Sequence, residues 1–180
     1  MKGIIFTEFL QMIEDRYGAC MVDDILDDCD LESGGSYTSV GTYHYTEFVM
    51  IACELSNQIK VPVDEIIKQY GRHFFFRFNK IMPQFFEKPT CAFDFLESIH
   101  DTIHVEVKKL YPDSPLPNLE THIRDEQNMD LVYVSQRPLA DFTEGLILGC
   151  ADFYDETISL RSIDNNTDEH FCRVFNLTRH

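Results

Sequence analysis

The sequence predicts an α+β fold, in which a helical N-terminal half packs on a C-terminal part with an antiparallel sheet of about four strands. Apolar residues recur at helical spacing up to about residue 110, as Phe9, Met12 and Ile13 do in the first helix. Beyond the proline-rich stretch 111–118 the spacing changes to one that is typical of strands. The predicted strands cover 119–124, 129–135, 157–163 and 170–177.

Turn residues set the order of these elements. DEQN (125–128) and DNNTD (164–168) each join two strands, which predicts two hairpins. Predicted helices cover 4–17, 46–59, a segment that begins at Pro62, 91–110, and 138–156 between the hairpins. No internal repeat or flexible linker interrupts the chain, so a single domain over residues 1–180 is expected.

Glycines lie inside two of the predicted helices. Gly71 stands in the helix that begins at Pro62, where glycine costs up to about 1 kcal/mol relative to alanine. Close packing and a hinge both explain such a glycine, and the sequence alone favours packing. Gly145 and Gly149 are four residues apart, which indicates a helix face that another element approaches closely.

The composition limits the partners. The chain has 180 residues and a formal net charge of −16, which argues against nucleic acid or an anionic membrane, since both need a basic face. The acidic run 23–32 is expected to be a solvated surface, although it could also offer a patch to a basic protein. No apolar run reaches the roughly 18 residues of a spanning helix, and no secretory signal is evident. The six cysteines form no CxxC pair, which favours free thiols in the cytoplasm over a metal site.

Three polar residues follow one another at every second position of a strand that Pro138 ends. Tyr133, Ser135 and Arg137, which we call the donor trio, are expected on one face of the strand. All three donate hydrogen bonds and one carries a fixed positive charge, so the trio suits a carboxylate or phosphate. An exposed strand face with a surface arginine is the simpler alternative. A hydrolase that uses Ser135 is a distant third reading of the chain, because no base is spaced to activate the hydroxyl.

Two histidines four residues apart lie on the helix 91–110. His100 and His104 could together grip a metal, but no third ligand is visible for zinc. Taken singly, each is more simply a histidine of the core or its rim. Combined with the donor trio, a helix histidine at the edge of an apolar surface suits haem, because imidazole binds the iron and the propionates need donors.

On these residues the chain resembles the H-NOX family, the haem domains that bind nitric oxide or oxygen. The resemblance rests on MKGIIF (1–6), IHDTIHVEVKKLYP (99–112), YVSQR (133–137) and FTEGLILG (142–149). YVSQR fits the family signature Y-x-S-x-R and follows the histidine helix at the right distance. The family includes the haem domain of soluble guanylate cyclase and stand-alone bacterial sensors. The resemblance covers essentially the whole chain, and it implies the H-NOX fold with haem between the helical half and the sheet part.

The resemblance also implies roles for particular residues. His104, rather than His100, matches the proximal ligand of ferrous haem b. The donor trio matches the residues that hold the propionates. Pro117 matches a proline that presses on the haem and bends it. Gly71 falls near the small-residue hinge of the family, which raises the hinge reading of that glycine.

The distal pocket departs from the oxygen-binding members. Ile5 and Leu146 match residues that line the haem pocket. Oxygen-binding members carry a tyrosine at the position of Phe142, and its neighbours by alignment are Phe9 and Phe74. Bound oxygen needs a hydrogen-bond donor and bound nitric oxide does not. Three phenylalanines therefore imply a pocket that favours nitric oxide.

The resulting prediction is a bacterial-type gas sensor rather than an enzyme. Nitric oxide, and also CO, is expected to bind the ferrous haem, and nitric oxide to release His104. Because the sequence holds no kinase, cyclase or phosphodiesterase segment, the output is expected to reach a separate histidine kinase or cyclic-di-GMP enzyme. Some relatives hold zinc through three cysteines and a histidine; only Cys172 matches, so no structural zinc is expected. The competing prediction is a non-haem acidic α+β protein-interaction module.

Overall fold

The computed structural model describes residues 1–112 and 116–180, and the chain divides into two compact units. The N-terminal unit is Met1–Tyr70 and the C-terminal unit is Gly71–His180, so the boundary falls inside the helix α4 (Val63–Ile81). The predicted proline-rich loop 111–118 lies partly outside the described residues. Within those residues, no helix combines the length and apolarity needed to cross a membrane.

The N-terminal unit is helical, as predicted. It consists of α1 (Gly3–Tyr17), α2 (Ala19–Asp28), α3 (Tyr45–Ile59) and the beginning of α4. Gly18 is the C-cap of α1, with a φ of +90° and its N–H donating to the carbonyl of Glu14. Its fully buried aromatic and aliphatic side chains include Phe6, Phe9, Ile13, Ile25, Phe48, Ile51, Leu55 and Tyr70.

The helix α2 falls partly inside the acidic run and was not predicted. Ile25 is fully buried, whereas Asp23, Asp24 and Asp27 are exposed. The acidic side chains therefore form a solvated face, and the few apolar residues among them supply the buried side of the helix.

The C-terminal unit contains the sheet. After α4 come a 3-10 turn (Pro83–Phe85), α5 (Ala92–Ser98), a π-helical segment (Ile99–Ile103) and α6 (His104–Leu110). The strands are β1 (Asn118–Ile123), β2 (Asn128–Ser135), β3 (Ile158–Asp164) and β4 (Phe171–Arg179), and α7 (Ala140–Phe153) lies between β2 and β3 in the chain. The predicted four-stranded antiparallel sheet is confirmed, in the order β1-β2-β4-β3.

The register of the sheet decides which face of β2 is buried. Leu131 lies opposite Phe175 and Tyr133 lies opposite Arg173. Leu131 and Phe175 are fully buried and Tyr133 is 2% exposed, so these alternate residues face the core. The strand face that carries the donor trio is therefore the core face, and the alternative of an exposed strand face is wrong for Tyr133.

The helices α4 and α7 pack backbone to backbone. A Cβ added to Gly71 would lie 2.2 Å from the carbonyl oxygen of Phe142, and one added to Gly149 would lie 2.7 Å from the Cβ of Phe75. The packing interpretation of Gly71 and the close approach predicted for Gly149 are thus confirmed, while the hinge role of Gly71 stays a prediction.

The predicted helix 91–110 is only partly right, because a π-helical segment interrupts it. The N–H of His104 donates to the carbonyl of Ile99, an i→i+5 bond that is characteristic of a π turn. This wider turn shifts the helical wheel of everything that follows. Beyond this turn, Leu110 at the end of α6 is 56% exposed, whereas Ile103 is buried.

Candidate functional site

His104 is the first residue of α6 and directly follows the π-helical segment. Its side chain is half-buried, and within the described part of the chain its ring makes no hydrogen bond. Burial, and then the charges of His100 and Lys108, lower the pKa of the imidazole to about 4. His104 is therefore neutral at pH 7 and keeps the nitrogen lone pair that a metal ligand needs.

The structure separates the two histidines that the sequence left as alternatives. The side chain of His100 is 52% exposed and lies 3.9 Å from Asp101. His100 lies in the π-helical segment, whereas His104 begins the α-helix that follows it. Only His104 lies against the interior of the C-terminal unit.

The donor trio is joined by hydrogen bonds to the backbone of Arg137. The hydroxyl of Tyr133 donates to the carbonyl of Arg137 at 2.8 Å, and the hydroxyl oxygen of Ser135 accepts from its N–H at 3.1 Å. Ser135 is the last residue of β2, so these bonds hold Arg137 beside the strand face after the strand has ended. Burial raises the pKa of the Tyr133 hydroxyl, which keeps that group a donor. The Ser135 proton is still able to donate, since its oxygen accepts in this bond.

Arg173 is a residue of this region that sequence reasoning missed. It lies opposite Tyr133 on β4, and its guanidinium reaches Asp141 and Glu144 of α7 and Asp164 of β3. Its side chain is 17% exposed. Hydrogen bonds to Asp164 and Asp141 raise its pKa further above the usual value. The available signal was an arginine two residues before the buried Phe175, at a strand position that shares its face.

Aromatic and aliphatic side chains form the apolar part of the site in the C-terminal unit. The rings of Phe74 and Phe142 are 5.8 Å apart, and those of Phe74 and Phe78 are 6.3 Å apart. Leu146 lies one turn after Phe142 on α7 and is partly buried. The structure therefore brings Phe74 and Phe142 together and provides no polar atom on either ring.

Pro117 precedes β1 directly and is half-buried. Leu119, two residues later, belongs to the same buried cluster as Ile103, the residue before His104. The strand that follows Pro117 thus packs on the segment that carries His104. A direct pressure of Pro117 on a bound haem stays a prediction.

The remaining predicted residues lie in the N-terminal unit. Phe9 is fully buried, with its ring 5.0 Å from that of Phe48 and 4.7 Å from that of Tyr70. Ile5 is partly buried, and its carbonyl accepts a hydrogen bond of 2.6 Å from the Tyr70 hydroxyl. Sequence reasoning overlooked this phenol beside Phe9. Burial raises the pKa of Tyr70 well above its usual value, so the hydroxyl stays protonated and bound to the Ile5 carbonyl.

The chemistry of these side chains fits haem. A neutral imidazole suits the iron, a guanidinium with hydroxyl donors suits carboxylates, and aromatic side chains suit a porphyrin ring. No group of three His, Cys, Asp or Glu side chains could hold a metal ion in residues 1–112 and 116–180. The predicted lack of structural zinc stays a prediction.

The comparisons with known proteins point the same way. A family model described as haem-NO-binding matches residues 2–162. The unliganded Fe(II) H-NOX protein from K. algicida is 33% identical, with a TM-score of 0.92, over 100% of this chain and 97% of that chain. The H-NOX from Shewanella woodyi, bound to IWP-051 in the Fe(II)CO state, is 36% identical with a TM-score of 0.84, over 100% and 95%.

A third structure supports the fold alone. The Fe(II)NO form of an H-NOX protein from S. oneidensis has a TM-score of 0.87 at 24% identity, over 99% of both chains. A search of curated protein sequences gave no match. The family match over most of the chain and the two relatives above 30% identity are sufficient for an assignment: the chain belongs to the haem-NO-binding, or H-NOX, family, whose members are haem-based gas sensors rather than enzymes.

Proposed function

We propose that this chain is a nitric oxide sensor that binds ferrous haem b through His104 and spans residues 1–180 as one haem-binding domain. His104 would hold the haem through its imidazole, and the haem would supply an iron that binds a small gas. The observation that carries the proposal is the combination of a neutral, half-buried His104 with the hydrogen-bonded donor trio in one compact unit.

His104 is suited to its proposed role by its surroundings. A pKa near 4 keeps the imidazole neutral across the physiological range, so no proton competes with the metal. Because its ring makes no hydrogen bond among the described residues, iron coordination breaks none there. The π-helical segment before it supplies a turn that could tighten or widen when the histidine is released, since π turns are frequent at functional sites.

The donor trio is suited to the haem propionates. The guanidinium of Arg137 offers two parallel N–H groups to a carboxylate, and Ser135 adds a hydroxyl beside it. The bond from Tyr133 to the Arg137 carbonyl fixes the backbone from which that guanidinium extends. We assign to Tyr133 the orientation of this anchor, because its single O–H donates to the Arg137 carbonyl.

Selectivity for nitric oxide over oxygen follows from the polarity of the aromatic residues. Bound oxygen accumulates negative charge and needs a donor, whereas bound nitric oxide is much less polar. In the C-terminal unit, the rings of Phe74 and Phe142 carry no hydrogen-bond donor. In the N-terminal unit, the Tyr70 hydroxyl donates its proton to the carbonyl of Ile5. CO is expected to bind as well, because it also needs no donor.

The output is proposed to pass to a separate protein. Release of His104 would free the first residue of α6, a short helix whose Val105 and Leu110 are exposed apolar side chains. A histidine kinase or a cyclic-di-GMP enzyme is the proposed class of effector.

A pair of histidine variants tests the proposal. His104→Gly should yield protein that loses haem and regains it when imidazole is added, because free imidazole can replace the missing ligand. His100→Gly is the matched control, and it should retain haem as the original protein does, since His100 is exposed. Retention of haem by His104→Gly without imidazole would move the iron ligand elsewhere. Colourless original protein, expressed with ample haem precursor, would favour the non-haem interaction module.

A further inference from the structure

A loop takes the place of a side-chain cap at the beginning of α1. Lys2, the N-cap residue, makes no capping hydrogen bond through its side chain, so the first N–H groups of the helix need other acceptors. The N–H of Ile4 donates to the carbonyl of Ser39 at 3.0 Å. Residues 33–43, which we call the capping loop, therefore hold the first turn of α1, the turn that contains Ile5.

The capping loop lies directly against the backbone of the helix. The N–H of Gly3 donates to the carbonyl of Gly41 at 2.9 Å, and a Cβ added to Gly3 would overlap the carbonyl oxygen of Thr38. Only a glycine allows two segments of backbone to approach so closely. The position of the first turn of α1 thus depends on the position of the loop.

Aromatic side chains fix the inner side of the capping loop. The ring of Tyr37 stacks on the ring of the fully buried Phe6, with centroids 4.5 Å apart and an angle of 17° between the planes. The ring of Tyr43 lies edge-on to Phe6 at 5.5 Å, and its hydroxyl oxygen accepts from the N–H of Thr38 at 2.9 Å. Burial raises the pKa of Tyr37, so its hydroxyl stays protonated and remains a donor.

Glu47 fastens the capping loop to α3. This residue lies in the first turn of α3 and is only 5% exposed. Its Oε2 accepts a hydrogen bond of 2.7 Å from the Tyr37 hydroxyl and a second one from the hydroxyl of Ser33. A buried carboxylate that lost these donors would keep an unsatisfied acceptor, which is costly. The two hydroxyl groups are therefore held at Glu47, and the loop is held with them.

We propose that Glu47 is a positioning residue of the proposed gas-binding site, which fixes Ile5 through the capping loop. This inference rests on the proposed function and on the assignment of Ile5 to the haem pocket. Glu47 is not assigned a contact with the haem or the gas. It holds Tyr37, the loop that contains Tyr37 caps α1, and the capped turn carries Ile5.

Hydrogen exchange of the purified protein tests the structural half of the inference without requiring haem. In Glu47→Leu, the amides of Gly3 and Ile4 should exchange at least about tenfold faster than in the original protein, because their acceptors move with the loop. The amide of Ile13, farther along α1, should change far less, which separates a local release from a general loss of stability. Glu54→Leu is the matched control, since this carboxylate of α3 accepts only from side chains of its own helix.

The infrared stretching band of CO bound to the ferrous protein tests the other half. The band responds to packing and polarity around the bound gas, so Ile5→Ala should shift it. Glu47→Leu should broaden the band, because a released first turn lets Ile5 adopt several positions. Tyr37→Phe should have a weaker effect of the same kind, since Ser33 still donates to Glu47. Glu54→Leu should give the band of the original protein.

The outcomes are distinct from those of the function itself. Original protein that takes up no haem overturns the proposed function, whatever the exchange rates are. If haem binds and the amides of Gly3 and Ile4 exchange no faster in Glu47→Leu, Glu47 does not hold the loop and only this inference is wrong. Faster exchange with an unchanged CO band, or an unchanged band in Ile5→Ala, would also overturn it. If Glu47→Leu does not fold, Tyr37→Phe decides between the same outcomes, because it keeps the ring and removes one hydroxyl.

Discussion

The close contact of Gly71 gives a prediction whose size follows from the structure. In Gly71→Ala, the new Cβ would lie 2.2 Å from the carbonyl oxygen of Phe142, 3.0 Å from the Cα of Gly145 and 3.1 Å from the N of Leu146. All three are backbone atoms of α7, so no side-chain rotation relieves the overlap. Ordinary contact begins at 3.4 Å, which requires a local separation of about 1.2 Å.

Two effects of opposite sign decide the free energy of unfolding of Gly71→Ala. Alanine gains up to about 1 kcal/mol from helix propensity, and overpacking of a tight contact costs about 1–3 kcal/mol. Because the overlap is with backbone, the cost prevails, and a net loss of about 1–2 kcal/mol is expected. Separating the two helices to relieve this overlap would also move Phe142, because the nearest atom to the new Cβ is the carbonyl oxygen of that residue.

Urea unfolding measures this loss directly. The midpoint should fall with an unchanged slope, because the folded state is strained and the unfolded state is not made more compact. Lys80→Ala, an exposed position on the same helix, is the control and should change stability by less than about 0.5 kcal/mol. A Gly71→Ala protein that is more stable than the original would refute the close packing of α4 on α7.

Three further predictions concern the site. Phe142→Tyr should give the ferrous protein a measurable oxygen affinity in gas titrations, since it supplies the missing donor, and an unchanged affinity would place that residue away from the bound gas. Tyr70→Phe should lower the free energy of unfolding by about 1 kcal/mol through loss of the bond to Ile5, without any gain in oxygen affinity; a gain would show that the hydroxyl influences the gas. In haem-free protein, the His104 pKa of about 4 lies below the ordinary 6.5, so the folded state binds fewer protons and stability falls as the pH drops from 6.5 towards 4. His104→Gln should flatten that part of the stability curve, and identical curves would contradict the lowered pKa.

Local patterns in the sequence predicted the parts of the fold that depend on local physics. The hairpin turns and the spacing of strand residues fixed the orientation of Tyr133 and Ser135, because a strand alternates faces whatever it pairs with. Gly71 and Gly149 indicated close packing because a glycine has no Cβ, so another element can approach its backbone closely. This property is known from the sequence alone.

Features that depend on pairing between distant segments were not predictable in the same way. Arg173 becomes part of the site only because β4 lies next to β2, and an antiparallel pair separated by α7 and β3 leaves no local signal. The π turn at Ile99–Ile103 depends on a shifted hydrogen bond, so the sequence predicted an uninterrupted helix over 91–110. Tyr70 lies in the predicted helix that begins at Pro62, but its bond to Ile5 depends on the packing of α4 on α1 within the N-terminal unit.

Absorption spectra of the reduced protein under argon, nitric oxide, CO and air test the central claim most directly. We expect nitric oxide and CO each to shift the haem absorption bands, and air to produce no stable oxygen complex, because Phe74 and Phe142 offer oxygen no hydrogen-bond donor. A stable oxygen spectrum, or protein that takes up no haem at all, would contradict the proposed function.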